Sequence, residues 1–196
     1  MSGPLKKGKD SLIRALRGRL KADLGDLHAA ILCCRKCPGG GGGLTGLGTP
    51  GARFLLVAGS PGPGALRENP WGEKGKVLVE EIEEAFPGVD LEELYCTLAL
   101  RCPGVKVSLA ALRRCSLYLA EEVHLVGPKT VIAFGRPAAV ALRMALGEDL
   151  PANPWAGEDV ILQGKRFVYN LDVSKLGDRE MGEVFRKILR SALHAP

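Results

Sequence analysis

Apolar positions along the chain follow two periods. Over residues 11–32 they recur as Leu12, Leu16, Leu20, Leu24, Leu27 and Ile31, a spacing that lines one stripe of a helix and leaves Lys and Arg on the other face. Short unbroken apolar runs at 53–58, 94–100 and Thr130–Phe134, each bounded by turn residues, predict strands buried on both faces. Helical spacing returns between them. It predicts a helix over 77–86, one entered at Ser108 as N-cap and followed through Leu109, Leu112, Leu117, Leu119 and Val123, one over 137–146 with Pro137 in its first turn, and a closing helix over 178–193. Residues 160–162 and 166–169 predict a hairpin-like pair or a final strand.

Buried strands alternating with helices predict a three-layer α/β/α domain around a central, mostly parallel, four-stranded sheet. Residues 1–10 form a basic tail and 11–196 the single domain. Within it 38–50, with five consecutive glycines from Gly39 to Gly43, is expected to be an irregular, flexible connector.

Composition narrows the class. At 196 residues and 46% hydrophobic content the chain can bury one good core. It holds no apolar run of about 18 residues and no apolar leader after Met1, so the expectation is a cytoplasmic monomer with no membrane segment. The net charge of +5 is unevenly placed: residues 1–38 carry nine Lys and Arg against three Asp, and the remaining 158 sum to −1. A basic entry segment with Lys6, Lys7, Lys9, Arg14, Arg17, Arg35 and Lys36, joined by Arg101 downstream, suits a polyanion such as a nucleic-acid backbone. A solvated helix face with a basic tail is the plainer alternative.

Chemistry is concentrated in cysteine. Cys34-Arg35-Lys36-Cys37 places two thiols within reach of one soft metal centre, and Cys102 and Cys115 can supply a second pair. Six cysteines in a reducing compartment are ligands or thiols rather than disulfides. A redox pair, a four-cysteine zinc site and inert buried thiols compete with a cluster; the last description suits Cys33 and Cys96. Glycines at the end of the first buried strand, Gly59-Ser60-Pro61-Gly62-Pro63-Gly64, let backbone approach a ligand. Trp71 in Asn69-Pro70-Trp71-Gly72 is a candidate stacking platform, or a packed loop anchor.

The order of these features resembles the family 4 uracil-DNA glycosylases: Cys-Arg-Lys-Cys ending a basic helix, a strand leading into a Gly/Pro loop, a Pro-aromatic-x-Gly loop, a strand ending in Cys-Pro, a helix with a fourth cysteine, and Val-Ile-Ala-Phe-Gly-Arg. The resemblance spans about residues 27–193 and implies a uracil-DNA glycosylase-like fold, DNA repair and a 4Fe-4S cluster on Cys34, Cys37, Cys102 and Cys115. It also implies a base pocket lined by Gly59, Pro61, Gly62, Trp71 and Leu98, with catalytic positions at Ser60, Asp172 and Ser174. Four of these depart from the family pattern. Ser60 stands where the family has a carboxylate, Trp71 where it has Phe, and Leu98 where an Asn amide reads uracil. Asp172-Val173-Ser174 replaces His-Pro-Ser. Leucine neither donates nor accepts a hydrogen bond, and an ionised Asp172 repels the uracil oxyanion that the family's His stabilises. The expectation is a glycosylase acting on a flipped damaged base other than uracil, in damaged or single-stranded DNA. The alternatives are a catalytically inactive nucleic-acid-binding or repair-partner module, and an iron-sulfur protein with no nucleic-acid role.

Overall fold

A computed structural model describes residues 23–151 and 153–194. Four strands form the centre of its sheet, and their sequences explain why. With β1 at Leu47–Gly48, they are β2 (Phe54–Ala58), β3 (Leu94–Leu98), β4 (Thr130–Phe134) and, after the short β5 (Asp159–Leu162), β6 (Lys165–Asn170). Every residue of β2 and β4 is buried, which suits runs of Val, Ile, Leu and Phe without alternation. The sheet order is β1-β3-β2-β4-β6-β5. The inner four strands are parallel, and β1 and β5 pair antiparallel at the two edges.

The expected four-stranded sheet is therefore corrected to six strands and a mixed one. The two added strands are edges. β5 alternates exposed and half-buried residues, and β1 is two exposed residues long, so neither has the apolar run that marks a central strand. β1 also corrects the expectation of a wholly irregular connector over 38–50. In that stretch Gly46 lies flat against the Tyr95 ring, where any Cβ would collide with it.

Five α-helices complete the described residues: α1 (Leu24–Leu32), α2 (Glu73–Ala85), α3 (Leu109–Val126), α4 (Arg136–Leu146) and α5 (Arg179–Leu193). Asp23 is extended and its carboxylate accepts the Asp26 N–H, so α1 starts at Leu24 and the helix expected over 11–32 is not continuous there. Its earlier part lies outside the described residues. Ser108 and Asp178 cap α3 and α5 in the same way, and Gly127 closes α3 in the left-handed conformation.

Alternation along the strands builds two cores. Leu55, Val57, Tyr95, Val131, Ala133 and Phe167 pack under α3 and α4, while Phe54, Leu56, Leu98, Ile132, Phe134 and Val168 pack under α2 and α5. These are the three layers. No helix among the described residues is long and apolar enough to cross a membrane.

Candidate functional site

The chain leaves β2 through α2 toward β3, then crosses back over β2 to reach β4. The strands β2 and β4 are neighbours whose connections run in opposite directions, and by the general rule for open α/β sheets the ligand crevice lies beyond their carboxyl ends. The loop 59–64 leaves β2 there. Gly59 abuts Pro137 at the start of α4, and a Cβ on it would stand 3.1 Å from the ring. Gly135 follows β4 at φ +80°, and a Cβ on it would stand 3.0 Å from Asp172 Oδ2. Only glycine serves there, on both counts.

Asp172 caps the 3-10 turn Val173–Lys175, its Oδ1 accepting the Ser174 N–H at 2.9 Å. The same oxygen lies 3.8 Å from Lys74 Nζ, and the two side chains are 42% and 44% exposed. The structure thus brings Gly59, Asp172 and the start of α4 together around one crevice, with Ser60, Pro61 and Gly62 half-buried in its loop and Ser174 exposed beside it. Lys74 was absent from the sequence expectation. It stands in the first turn of a helix that begins four residues earlier than its apolar pattern marks, and nothing local pairs it with Asp172.

Two expected pocket residues are elsewhere. Trp71 is 4% exposed. Its indole N–H donates to the Thr97 carbonyl at 2.9 Å and its ring meets Phe134 edge-on at 5.6 Å, so it anchors the loop to the sheet and offers no free face for stacking. Leu98 is fully buried in the same core as Trp71 and Phe134. Asn170, at the carboxyl end of β6, has its amide used internally, donating to Phe185 O and accepting from Leu171 N.

The cysteines form a second locus at the same end of the sheet. Cys37, Cys102 and Cys115 are buried and Cys34 is half-buried. Burial, and then the neighbouring sulfurs of Cys115, Cys37 and Cys34, push the Cys102 thiol up to about 11. Burial likewise raises Cys115 against a hydrogen bond from the Arg101 N–H. At Cys34 burial acts upward too, but hydrogen bonds from Tyr118 and the Lys36 N–H, with the charges of Lys36 and Arg35, outweigh it and leave the thiol below its usual range. Gly40 passes so close that a Cβ would lie 3.4 Å from Cys102 Sγ. Among the described residues no three His, Cys, Asp or Glu side chains converge as one metal ion requires. The donor set is all thiol, which suits soft metals. Cys33 is exposed, and Cys96 in β3 is pushed up to about 12 by burial.

Arg101 corrects the expected phosphate contacts. It is 1% exposed and paired in a fork with Glu122, Nη1 to Oε1 at 3.0 Å and Nη2 to Oε2 at 2.5 Å. Tyr95 and Thr97 also donate to Glu122 at 3.1 and 2.6 Å. With its proton committed, Tyr95 accepts from His28 Nε2 at 2.9 Å. A guanidinium sealed in this network cannot reach a phosphate. Arg35 and Lys36 are exposed, and Lys36 sits over the Tyr118 ring. Lys6, Lys7, Lys9, Arg14 and Arg17 lie outside the described residues.

No family model matches the chain. Over 127 residues, 61% of its length, it is 25% identical to the Type-4 uracil-DNA glycosylase of Sulfurisphaera tokodaii, and the match spans 57% of that protein. The likeness is a distant one, to the uracil-DNA glycosylase superfamily.

Proposed function

We propose that this protein is a DNA-repair glycosylase-like enzyme that removes a flipped damaged base other than uracil. The observation that carries the reading is the position of Asp172: a half-exposed carboxylate at the carboxyl end of the sheet, braced by the Ser174 N–H and neighboured by Lys74. As an N-glycosidic bond breaks, positive charge grows on the sugar, and a carboxylate fixed beside it stabilises that charge or orients the attacking water. The same carboxylate disfavours a base that departs as an oxyanion, so the reading selects a purine or alkylated base. The glycines of the 59–64 loop give a flipped nucleotide close backbone approach. Ser60 and Ser174 supply hydroxyls at the rim.

Cys34, Cys37, Cys102 and Cys115 would hold a 4Fe-4S cluster. Its chemistry here is structural, tying the end of α1 to the loop after β3 and the second turn of α3. Cys115, Cys37 and Cys34 all lie near enough to Cys102 to act on its thiol, and an all-thiol donor set suits iron-sulfur chemistry.

A second reading, a catalytically silent module that binds nucleic acid or a repair partner, is favoured by the burial of Trp71 and Leu98. With these in the core, two expected base-reading positions present nothing to a base. One assay separates the two readings. Anaerobically prepared protein is incubated with oligonucleotides carrying uracil, hypoxanthine, xanthine or an alkylated base, and abasic sites are cleaved with alkali. Scission of a non-uracil substrate, abolished by Asp172→Asn, is the expected result. Binding without scission of any substrate replaces the enzyme with the silent module.

A further inference from the structure

The net charge is segregated along the sheet in a way the linear sequence hides. No Asp or Glu occurs between Asp26 and Glu68, or between Glu93 and Glu121. These two stretches supply α1 from Leu27 onward, the cysteine loop, β1, β2 and its following loop, β3 and most of α3, which together form the β1-β3-β2 half of the sheet and its flank. The opposite edge is mixed: between Arg143 and Lys165 there is no Lys or Arg, but Asp159 of β5 is paired with Arg166 of β6.

On the carboxylate-free side, Arg35, Lys36, Lys106, Arg113 and Arg114 are all exposed, and none of them makes an ion pair among the described residues. Lys36 reaches over the Tyr118 ring with its ammonium 4.9 Å from the centroid, which lays the cysteine loop against α3; Arg114 stands one turn before Tyr118, Arg113 adjoins it, and Lys106 precedes the N-cap of the same helix. Among the described residues, the carboxylates next in sequence to these stretches lie at the margins of this surface or are buried. Glu121 lies one turn beyond Tyr118, Glu122 is buried on Arg101, and Asp23 and Asp26 sit at the far end of α1. Five exposed cations with no carboxylate partner among the described residues favour a polyanion. The first turns of α3 follow the carboxyl end of β3, so the surface adjoins the crevice.

We propose that Lys106, Arg113 and Arg114, with Arg35 and Lys36, form the track that holds the phosphate backbone of a nucleic acid leading to the crevice. The inference rests on the nucleic-acid reading above but not on catalysis. A second copy of the chain docked through α3 is disfavoured, since antiparallel pairing of its exposed Leu109 and Leu117 would set Arg113 against its own copy.

The test is binding of the full chain to a fluorescent single-stranded oligonucleotide across a salt series. For single strands the log–log slope falls by about 0.7 for each phosphate that the protein no longer neutralises. Arg113→Gln with Arg114→Gln, and separately Lys106→Gln, are expected to weaken binding and flatten the slope by about that amount per charge. Lys129→Gln, on a groove at the opposite end of the sheet, is expected to leave both unchanged. Lys106 is four residues from the nearest cysteine, so its variant keeps the test valid if the paired substitution disturbs the thiols. Unchanged slopes in both α3-side variants overturn the proposal even if bases are excised, and weaker binding with no excision upholds it while removing the enzyme. No oligonucleotide binding, or binding of polyglutamate as tight as that of the oligonucleotide, overturns it and assigns the surface to an acidic protein.

Discussion

Asp172 Oδ1 takes both the Ser174 N–H and the neighbourhood of Lys74 Nζ, so one carboxylate is at once a turn cap and half of an ion pair. The two roles separate by substitution. Asp172→Asn keeps an acceptor for the cap and loses the charge, whereas Asp172→Ala loses both. An exposed pair contributes at most about 1 kcal/mol and a cap about the same. For a chain of this size, at about 2–4 °C per kcal/mol, the alanine variant is expected to melt about 2–8 °C lower, with the asparagine variant closer to wild type. Both are expected to lose about a hundredfold or more in base excision. Calorimetry beside the excision assay checks this, and an active Asp172→Asn removes the carboxylate from the mechanism.

Trp71 tests the pocket from the other direction. Its ring fills the core beside Phe134 and its N–H satisfies the Thr97 carbonyl. Trp71→Phe leaves that carbonyl unpaired and a gap beside it, a loss of about 2 kcal/mol by urea titration. Substrate preference should not change. Because Trp155 is 83% exposed, the variant should emit only as a water-exposed indole, which shows directly that the buried fluorophore was Trp71.

The central strands were legible because burial on both faces leaves an unbroken apolar run, and the start of α3 because Ser108 is a residue type that caps helices. The edge strands were not, since half-exposed or two-residue strands carry no such run. The cysteine set was legible as a donor inventory, while its placement beside Gly40 depends on how α1, β3 and α3 pack. Arg101 and Trp71 misled for one reason: a long cation and an aromatic read as surface chemistry until their partners, Glu122 and Thr97, arrive from elsewhere in the chain. Lys74 and the α3 cations became visible only through spatial neighbours.

His28 gives the fold an acid limit. Burial lowers its pKa from 6.5, Glu122 opposes that shift and Arg101 adds to it. The unfolded chain therefore binds a proton below pH 6.5 that the native ring resists, and stability present above this pH is lost as pH falls through and below it. Urea midpoints from pH 8 to pH 5 are expected to decline, and His28→Gln to flatten the decline. An identical pH profile in the variant places the acid sensitivity elsewhere.

The six thiols divide by environment. Anaerobic reconstitution with iron and sulfide is expected to load the wild type, Cys33→Ser and Cys96→Ser, and to fail in Cys37→Ser and Cys102→Ser. Since the Cys102 thiol lies near 11 before any metal binds, loading must release protons and should weaken as pH is lowered from 8 to 6. Iron analysis and the visible absorption of each variant decide it. Full loading of Cys102→Ser would break the assignment.

The Arg101–Glu122 fork is the costliest single point in the fold to disturb. Both groups are sealed from water, and Arg101 Nε has no hydrogen-bond partner among the described residues. Glu122→Gln leaves a buried cation without its counter-charge, and removing one member of such a pair destabilises by about 3–5 kcal/mol. Replacing both, Arg101→Met with Glu122→Leu, removes the uncompensated charge and should recover much of that loss, although Tyr95 and Thr97 then lack their acceptor. Chemical denaturation of wild type and the two variants measures the coupling. Because the Arg101 backbone N–H bonds the Cys115 sulfur, the single variant should also load less iron than the double one. If the single variant is as stable as the wild type, the network does not hold β3 to α3, and the cysteines are positioned by their own loops.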